Sequence, residues 1–192
     1  MRNKRWLLLG FALLSVAQLW VPGWMIWQEE QVVRGGEVFK FRVQPFDPVD
    51  PLRGRYVTLR FADNTINDPL ITDWSRNETA YITLGVDAEG FAIPRAATRE
   101  VPTAGEDFLS APVYLFRNRD STQRLTVRYP FERFYMQEFK APRAEALLRE
   151  RARADSLLPA YALVRVRDGR AVLTDVLVDG VSLQEVAGEE PD

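Results

Sequence analysis

The residues with chemical potential in this 192-residue chain are few and scattered, because it contains neither histidine nor cysteine. That composition removes Ser-His-Asp and Cys-His catalysis, disulfides, thiolate chemistry and histidine-bound zinc or haem. What remains is carboxylates, hydroxyls, lysine and the Tyr/Arg pair. A Ser-Lys hydrolase would need Lys40 or Lys140, the two lysines beyond the N-terminal region, and neither follows a recognisable nucleophile motif. A carboxylate pair for glycoside hydrolysis or cation binding could be drawn from Asp47, Asp50, Glu132 and Glu138. Asp47-Pro48-Val49-Asp50 lacks the dense acidic spacing of a calcium loop, and acids beside proline ordinarily form turns. There is no phosphate-cradling glycine loop, and with a net charge of −2 and interspersed bases there is no case for nucleic acid. The expectation is therefore no catalytic residue, no metal and no cofactor.

The stretch most able to recognise something is Asp47 to Phe61. Its prolines stiffen the approach, Arg53-Gly54-Arg55 offers a turn, and a strand follows. Period-2 alternation puts Val57, Leu59 and Phe61 on one face and Tyr56, Thr58 and Arg60 on the other. The first face reads as core, and the second carries a phenol, a hydroxyl and a guanidinium in a row. Farther on, Pro130 to Lys140 concentrates Phe131, Phe134, Tyr135 and Phe139 among Glu132, Arg133, Glu138 and Lys140. Two readings stay open there: an aromatic cluster closing the core, or an aromatic groove with Arg133 and Glu138 as polar fixtures. The candidate binding residues are Gly54, Tyr56, Arg60, Arg133, Tyr135 and Glu138.

Gly54-Arg55-Tyr56-Val57-Thr58-Leu59-Arg60-Phe61 resembles the Gly-Asp-Tyr-x-x-Leu-x-Tyr signature of the GDYXXLXY family. Gly54, Tyr56 and Leu59 match, whereas Arg55 stands at the acidic position and Phe61 at the final tyrosine. The block Arg128 to Glu138 and the hairpin around Asp168-Gly169-Arg170 resemble two further family blocks, in the same order. Any family role of the acidic residue falls away here, since Arg55 cannot perform it. The resemblance implies a membrane-anchored bacterial protein of unestablished biochemical role. It also implies a polytopic membrane protein as partner, because relatives are often encoded beside multi-spanning proteins.

Other elements must hold these residues in place. Arg2, Lys4 and Arg5 precede an uncharged run from Trp6 to Trp27. As a helix that run is about 33 Å long, against about 30 Å of bilayer hydrocarbon. Trp6 marks one end and Trp20, Trp24 and Trp27 the other. The positive flank is expected in the cytoplasm, so the rest of the chain faces outward or into the periplasm from a bacterial cytoplasmic membrane, single-pass. Pro22-Gly23 is expected to kink or end the helix, and Ser15-Val16-Ala17 keeps cleavage after Ala17 open as the alternative to an uncleaved signal-anchor.

The expected organisation is an anchor over 1–28, a polar spacer over 29–36, a β-rich domain over 37–184 and an acidic, disordered tail over 185–192. Within the domain, alternation and turn residues predict about eight short strands, barrel-like or sandwich, plus one soluble helix from Pro142 to about Leu158. Ala62–Asn77 and Pro94–Asp107 read as loops, and Asp168-Gly169 as a tight hairpin turn. Function on these grounds is expected to be a non-enzymatic accessory or binding role. The alternative is a cell-envelope hydrolase or carbohydrate-binding domain using Glu132 or Glu138.

Overall fold

A computed structural model describes residues 2–44, 56–66, 74–103, 105–117, 123–137, 140, 143, 144, 146 and 160–188. The N-terminal helix α1 runs unbroken from Arg2 to Gly35 and carries one apolar span long enough to cross a membrane. Of the two expected effects of Pro22-Gly23, a kink or an end, the end does not occur: the helix continues through both residues. Proline deletes one helical hydrogen bond, and a long apolar helix keeps enough others to absorb the loss. The supposed spacer is also helical, and its Val32 is 2% exposed, the one fully buried side chain of α1 among the described residues.

The helix stops at a glycine for a steric reason. The Gly36 N–H donates to the Val32 carbonyl at 2.8 Å, and the chain turns at once into strand β1, Glu37–Gln44. A Cβ on Gly36 would lie 2.6 Å from the Val32 oxygen and 3.0 Å from that of Val166, both backbone. Arg165 donates to the Gly36 carbonyl at 3.2 Å and Arg167 to that of Gln31 at 3.4 Å, supplying donors to the open carbonyl end of the helix. Gly36→Ala is therefore expected to cost about 1–3 kcal/mol, the usual penalty of overpacking. Gly23→Ala, in open space, should cost nothing. Thermal unfolding of the full-length protein in detergent, comparing the two variants, checks this; equal midpoints would refute it.

The described residues after α1 are mostly strand and form a near-closed, barrel-like sheet. The strands after β1 are β2 (Tyr56–Thr58), β3 (Arg60–Phe61), β4 (Thr65–Ile66), β5 (Glu78–Val86), β6 (Ala92–Thr98) and β7 (Phe108–Arg117). They continue with β8 (Gln123–Val127), β9 (Arg133–Tyr135), β10 (Tyr161–Arg167), β11 (Arg170–Val178) and β12 (Val181–Ser182), and a one-turn helix α2 follows at Leu183–Val186. Two antiparallel sheets have the orders β12-β11-β10-β1-β3 and β4-β8-β7-β5-β6, with β2-β9 as a separate ribbon. The two larger sheets meet where Ser110 N–H donates to the Gly169 carbonyl at 2.8 Å, beside a parallel bridge between Leu109 and Gly169. Asp168 and Gly169 have φ of 50° and 80°, the left-handed pair that a two-residue hairpin turn requires.

More strands form than alternation indicates, because several are short pieces created by tertiary contact. The expected strand Tyr56–Phe61 divides at Leu59, whose N–H leaves both ladders and donates to the Glu132 carbonyl at 2.8 Å. Ala62–Asn77 contains β4, paired with β8. Strand β6 runs through Pro94 to Thr98; its register slips opposite Thr83/Leu84, and it lies at the sheet edge, the setting in which proline is tolerated. The predicted helix 142–158 lies largely outside the described residues; Arg143, Ala144 and Ala146 are helical, and the Ala144 N–H donates to Lys140. Nor is the chain loose from Gln184: Leu183 and Ala187 are buried in the core through Gly188, and 189–192 lie outside the described residues.

One core serves both sheets. Phe41, Leu59, Ile82, Leu109, Leu125, Val164 and Leu183 are all fully buried within it. At its centre Phe41, Phe61, Tyr129 and Phe131 contact one another with ring centroids 5.1–5.8 Å apart, mostly edge to face. The expected inward face Val57, Leu59 and Phe61 is inward.

Candidate functional site

The ribbon of β2 and β9 builds the candidate surface. Its register sets Tyr56 opposite Tyr135, Val57 opposite Phe134 and Thr58 opposite Arg133. Val57 and Phe134 are buried, so alternation turns the other two pairs outward. The Tyr56 and Tyr135 ring centroids are 5.6 Å apart at 58°, and the Arg133 guanidinium lies 5.1 Å from the Tyr56 centroid. Tyr135, and after it Tyr56, raises the Arg133 pKa above the ordinary arginine value. The side chain is a fixed cation on an aromatic platform. Tyr135 is 63% exposed, which makes it a large amphipathic side chain held out by a ribbon whose other face is core.

Three of the six expected binding residues, Tyr56, Arg133 and Tyr135, are thus brought together. Arg60 is exposed but lies beyond the break at Leu59, in β3, with Gln44 of β1 as its neighbour in register. Gly54 and Glu138 lie outside the described residues. The aromatic groove is not formed by Phe131 and Phe134, which are buried in the core, and Glu132 sits 3.6 Å from Arg128. Of the two open readings of that stretch, core closure is what these residues do.

Among the described residues the densest charge cluster lies elsewhere, around Arg42. Its guanidinium reaches Asp63 at 3.0 Å, Asp87 at 2.6 Å and Glu89 at 2.7 Å, and stacks 4.1 Å from the Phe91 centroid. Partial burial pulls the Arg42 pKa down, but the carboxylates outweigh it and the net shift is upward. One Asp87 oxygen also accepts the Phe91 and Glu89 N–H groups at 2.9 Å. The Phe91 bond is the main reason its carboxyl pKa is lowered, with Arg42 adding to it. The cluster ties β1 to the β5–β6 turn. Strand alternation puts Arg42 on the face opposite the buried Phe41, and its partners are distant in the chain, Asp63 and Glu89 lying 21 and 47 positions away. Among the described residues no group of three or more acidic side chains is arranged to hold a metal ion.

The family model described as GDYXXLXY protein matches residues 18–176, most of the chain, a range that contains the three segments 54–61, 128–138 and 168–170. The chain belongs to the GDYXXLXY family. No curated protein and no solved structure matches it. The described part of the GDYXXLXY signature has a division of labour. Leu59 and Phe61 are buried anchors, and Phe61 fills the final aromatic position as one of the four central rings. Tyr56 is the signature residue left half-exposed, and it meets Tyr135 of the second block.

Proposed function

We propose that this chain is a membrane-anchored, non-enzymatic accessory protein that engages a polytopic membrane protein through the Tyr56–Arg133–Tyr135 surface. The observation carrying this reading is that surface itself: two tyrosines and an arginine, outward-facing, on a ribbon anchored in the core. Tyr and Arg are the residue types that dominate binding hot spots, since they bring large contact area with few rotatable bonds. In this reading α1 is an uncleaved single-pass anchor, its positive N-terminal flank is cytoplasmic, and the domain stands outside the bacterial cytoplasmic membrane. The partner's loops meet the tyrosine surface, and its spans flank the tryptophan end of α1.

The test is a detergent pull-down of full-length protein from its native membrane, with mass spectrometry of what co-purifies. A stoichiometric multi-spanning protein is expected. Tyr56→Ala/Tyr135→Ala should reduce its recovery about tenfold or more, the loss of one hot spot, while leaving the thermal midpoint within a few degrees. Recovery of no such partner, or undiminished recovery by the double variant, counts against the proposal.

A further inference from the structure

We propose that the junction between α1 and the β10–β11 turn binds one membrane phospholipid with a phosphoethanolamine headgroup, whose acyl chains lie along Trp20, Trp24 and Trp27. The site uses α1 and the hairpin alone and is independent of any protein partner. A cavity of about 240 Å³ opens there between Trp27, Gln28 and Gln31 of α1 and Arg167, Asp168 and Arg170 of the turn. That is below the usual range of roughly 300–1,000 Å³ for small-molecule sites, and it suits a headgroup rather than a whole metabolite.

Its position follows from length. The apolar run from Trp6 to Trp27 matches the hydrocarbon thickness, so Trp27 stands at the boundary and Gln31, about 6 Å farther along the axis, stands among headgroups. Trp20, Trp24 and Trp27 are spaced four and three residues apart, hence on one face. Their rings contact in sequence at 6.5 and 5.0 Å, and all three are exposed. The next position on that stripe is Gln31, in the cavity wall. An aromatic track in the acyl region therefore leads directly into a cavity of mixed polar and apolar lining at headgroup depth, with Val32 beside the charged and amide side chains.

Charge selects the headgroup. Arg167 and Arg170 offer guanidinium donors suited to a phosphodiester, and their own ion pairs are long, 3.4 Å to Asp168 and 3.9 Å to Glu29. Asp168 and Glu29 balance them, so a net-anionic headgroup meets as much repulsion as attraction. A zwitterion with phosphate and primary ammonium groups satisfies both signs, and its ammonium keeps three donors for Asp168 and Glu29.

The experiment uses full-length protein in nanodiscs of equimolar phosphatidylethanolamine, phosphatidylglycerol and phosphatidylcholine, with native mass spectrometry of the released protein. Wild type is expected to retain one phosphatidylethanolamine in preference to the others. Arg167→Gln/Arg170→Gln should lose that retention about tenfold or more, as charge-assisted contacts are removed. Asp168→Asn, which suits the positive φ of the turn, should keep a lipid but shift the preference towards phosphatidylglycerol. Because it leaves the fold intact, this variant decides the matter should the double variant melt early. Retention of no lipid by wild type, preference for another headgroup, or unchanged selectivity in Asp168→Asn would overturn the proposal.

Discussion

Phe41→Ala is expected to lower the stability of the domain by about 3–5 kcal/mol, the largest effect of any single substitution considered. Phe41 is fully buried and makes edge contacts with Phe61, Tyr129 and Phe131, so truncation removes one ring from a four-ring cluster and leaves a cavity the rigid strands cannot close. For a domain of this size 1 kcal/mol is worth about 2–4 °C, so the midpoint should fall by about 6–20 °C. Tyr135→Ala, which removes an equally aromatic but exposed ring, should change stability by less than about 0.5 kcal/mol. Thermal unfolding of the two variants beside wild type makes the comparison. A Phe41→Ala midpoint as high as that of Tyr135→Ala would mean that the central cluster does not carry the core.

Arg42→Met should be the most costly polar substitution, about 2–3 kcal/mol at neutral pH, because hydrogen bonds to a charged group are lost and Asp63, Asp87 and Glu89 are left facing one another. The sign of its pH dependence follows from Asp87. A carboxyl whose folded pKa lies below its unfolded value contributes stability above the unfolded value, near pH 4, and loses it as pH falls through the lower folded value. Arg42 is part of the cause of that depression, so the variant retains only the share due to the Phe91 and Glu89 N–H groups. The stability gap between wild type and Arg42→Met should therefore narrow as pH drops from 7 to below 4. Denaturant unfolding at several pH values reads this directly; a gap constant over that range would show that the cation acts by packing on Phe91 alone.

The two variants also mark what the sequence could and could not disclose. The inward set Val57, Leu59 and Phe61 was legible because a half-buried strand repeats every two residues, and Asp168-Gly169 because few residue pairs tolerate two left-handed positions. Both are local rules. The break at Leu59 obeys a distant carbonyl, on Glu132, and no local preference marks it. Tyr56 and Tyr135 could each be singled out by type, yet their pairing depends on a strand register between segments far apart in the chain. Arg42 was least legible, since alternation assigns it to solvent and only tertiary folding assembles its carboxylates. At Pro22 the local rule allows a kink or an end, and the helix continues because one lost hydrogen bond is small against the length of α1.

In the membrane-anchored reading proposed above, the uninterrupted passage from α1 through Gly36 into β1 makes the helix a lever and not a tether. A flexible spacer would let the domain wander over a hemisphere. Here 34 helical residues, about 51 Å, are continuous with a strand of the sheet. Tilting such a rod by about 20°, a common adjustment to bilayer thickness, sweeps its far end sideways by about 17 Å and rotates everything fixed to it. In that reading the height and heading of the tyrosine surface above the bilayer are set by how the helix sits in its lipid. A thinner or thicker membrane would re-aim the domain without altering a single contact within it.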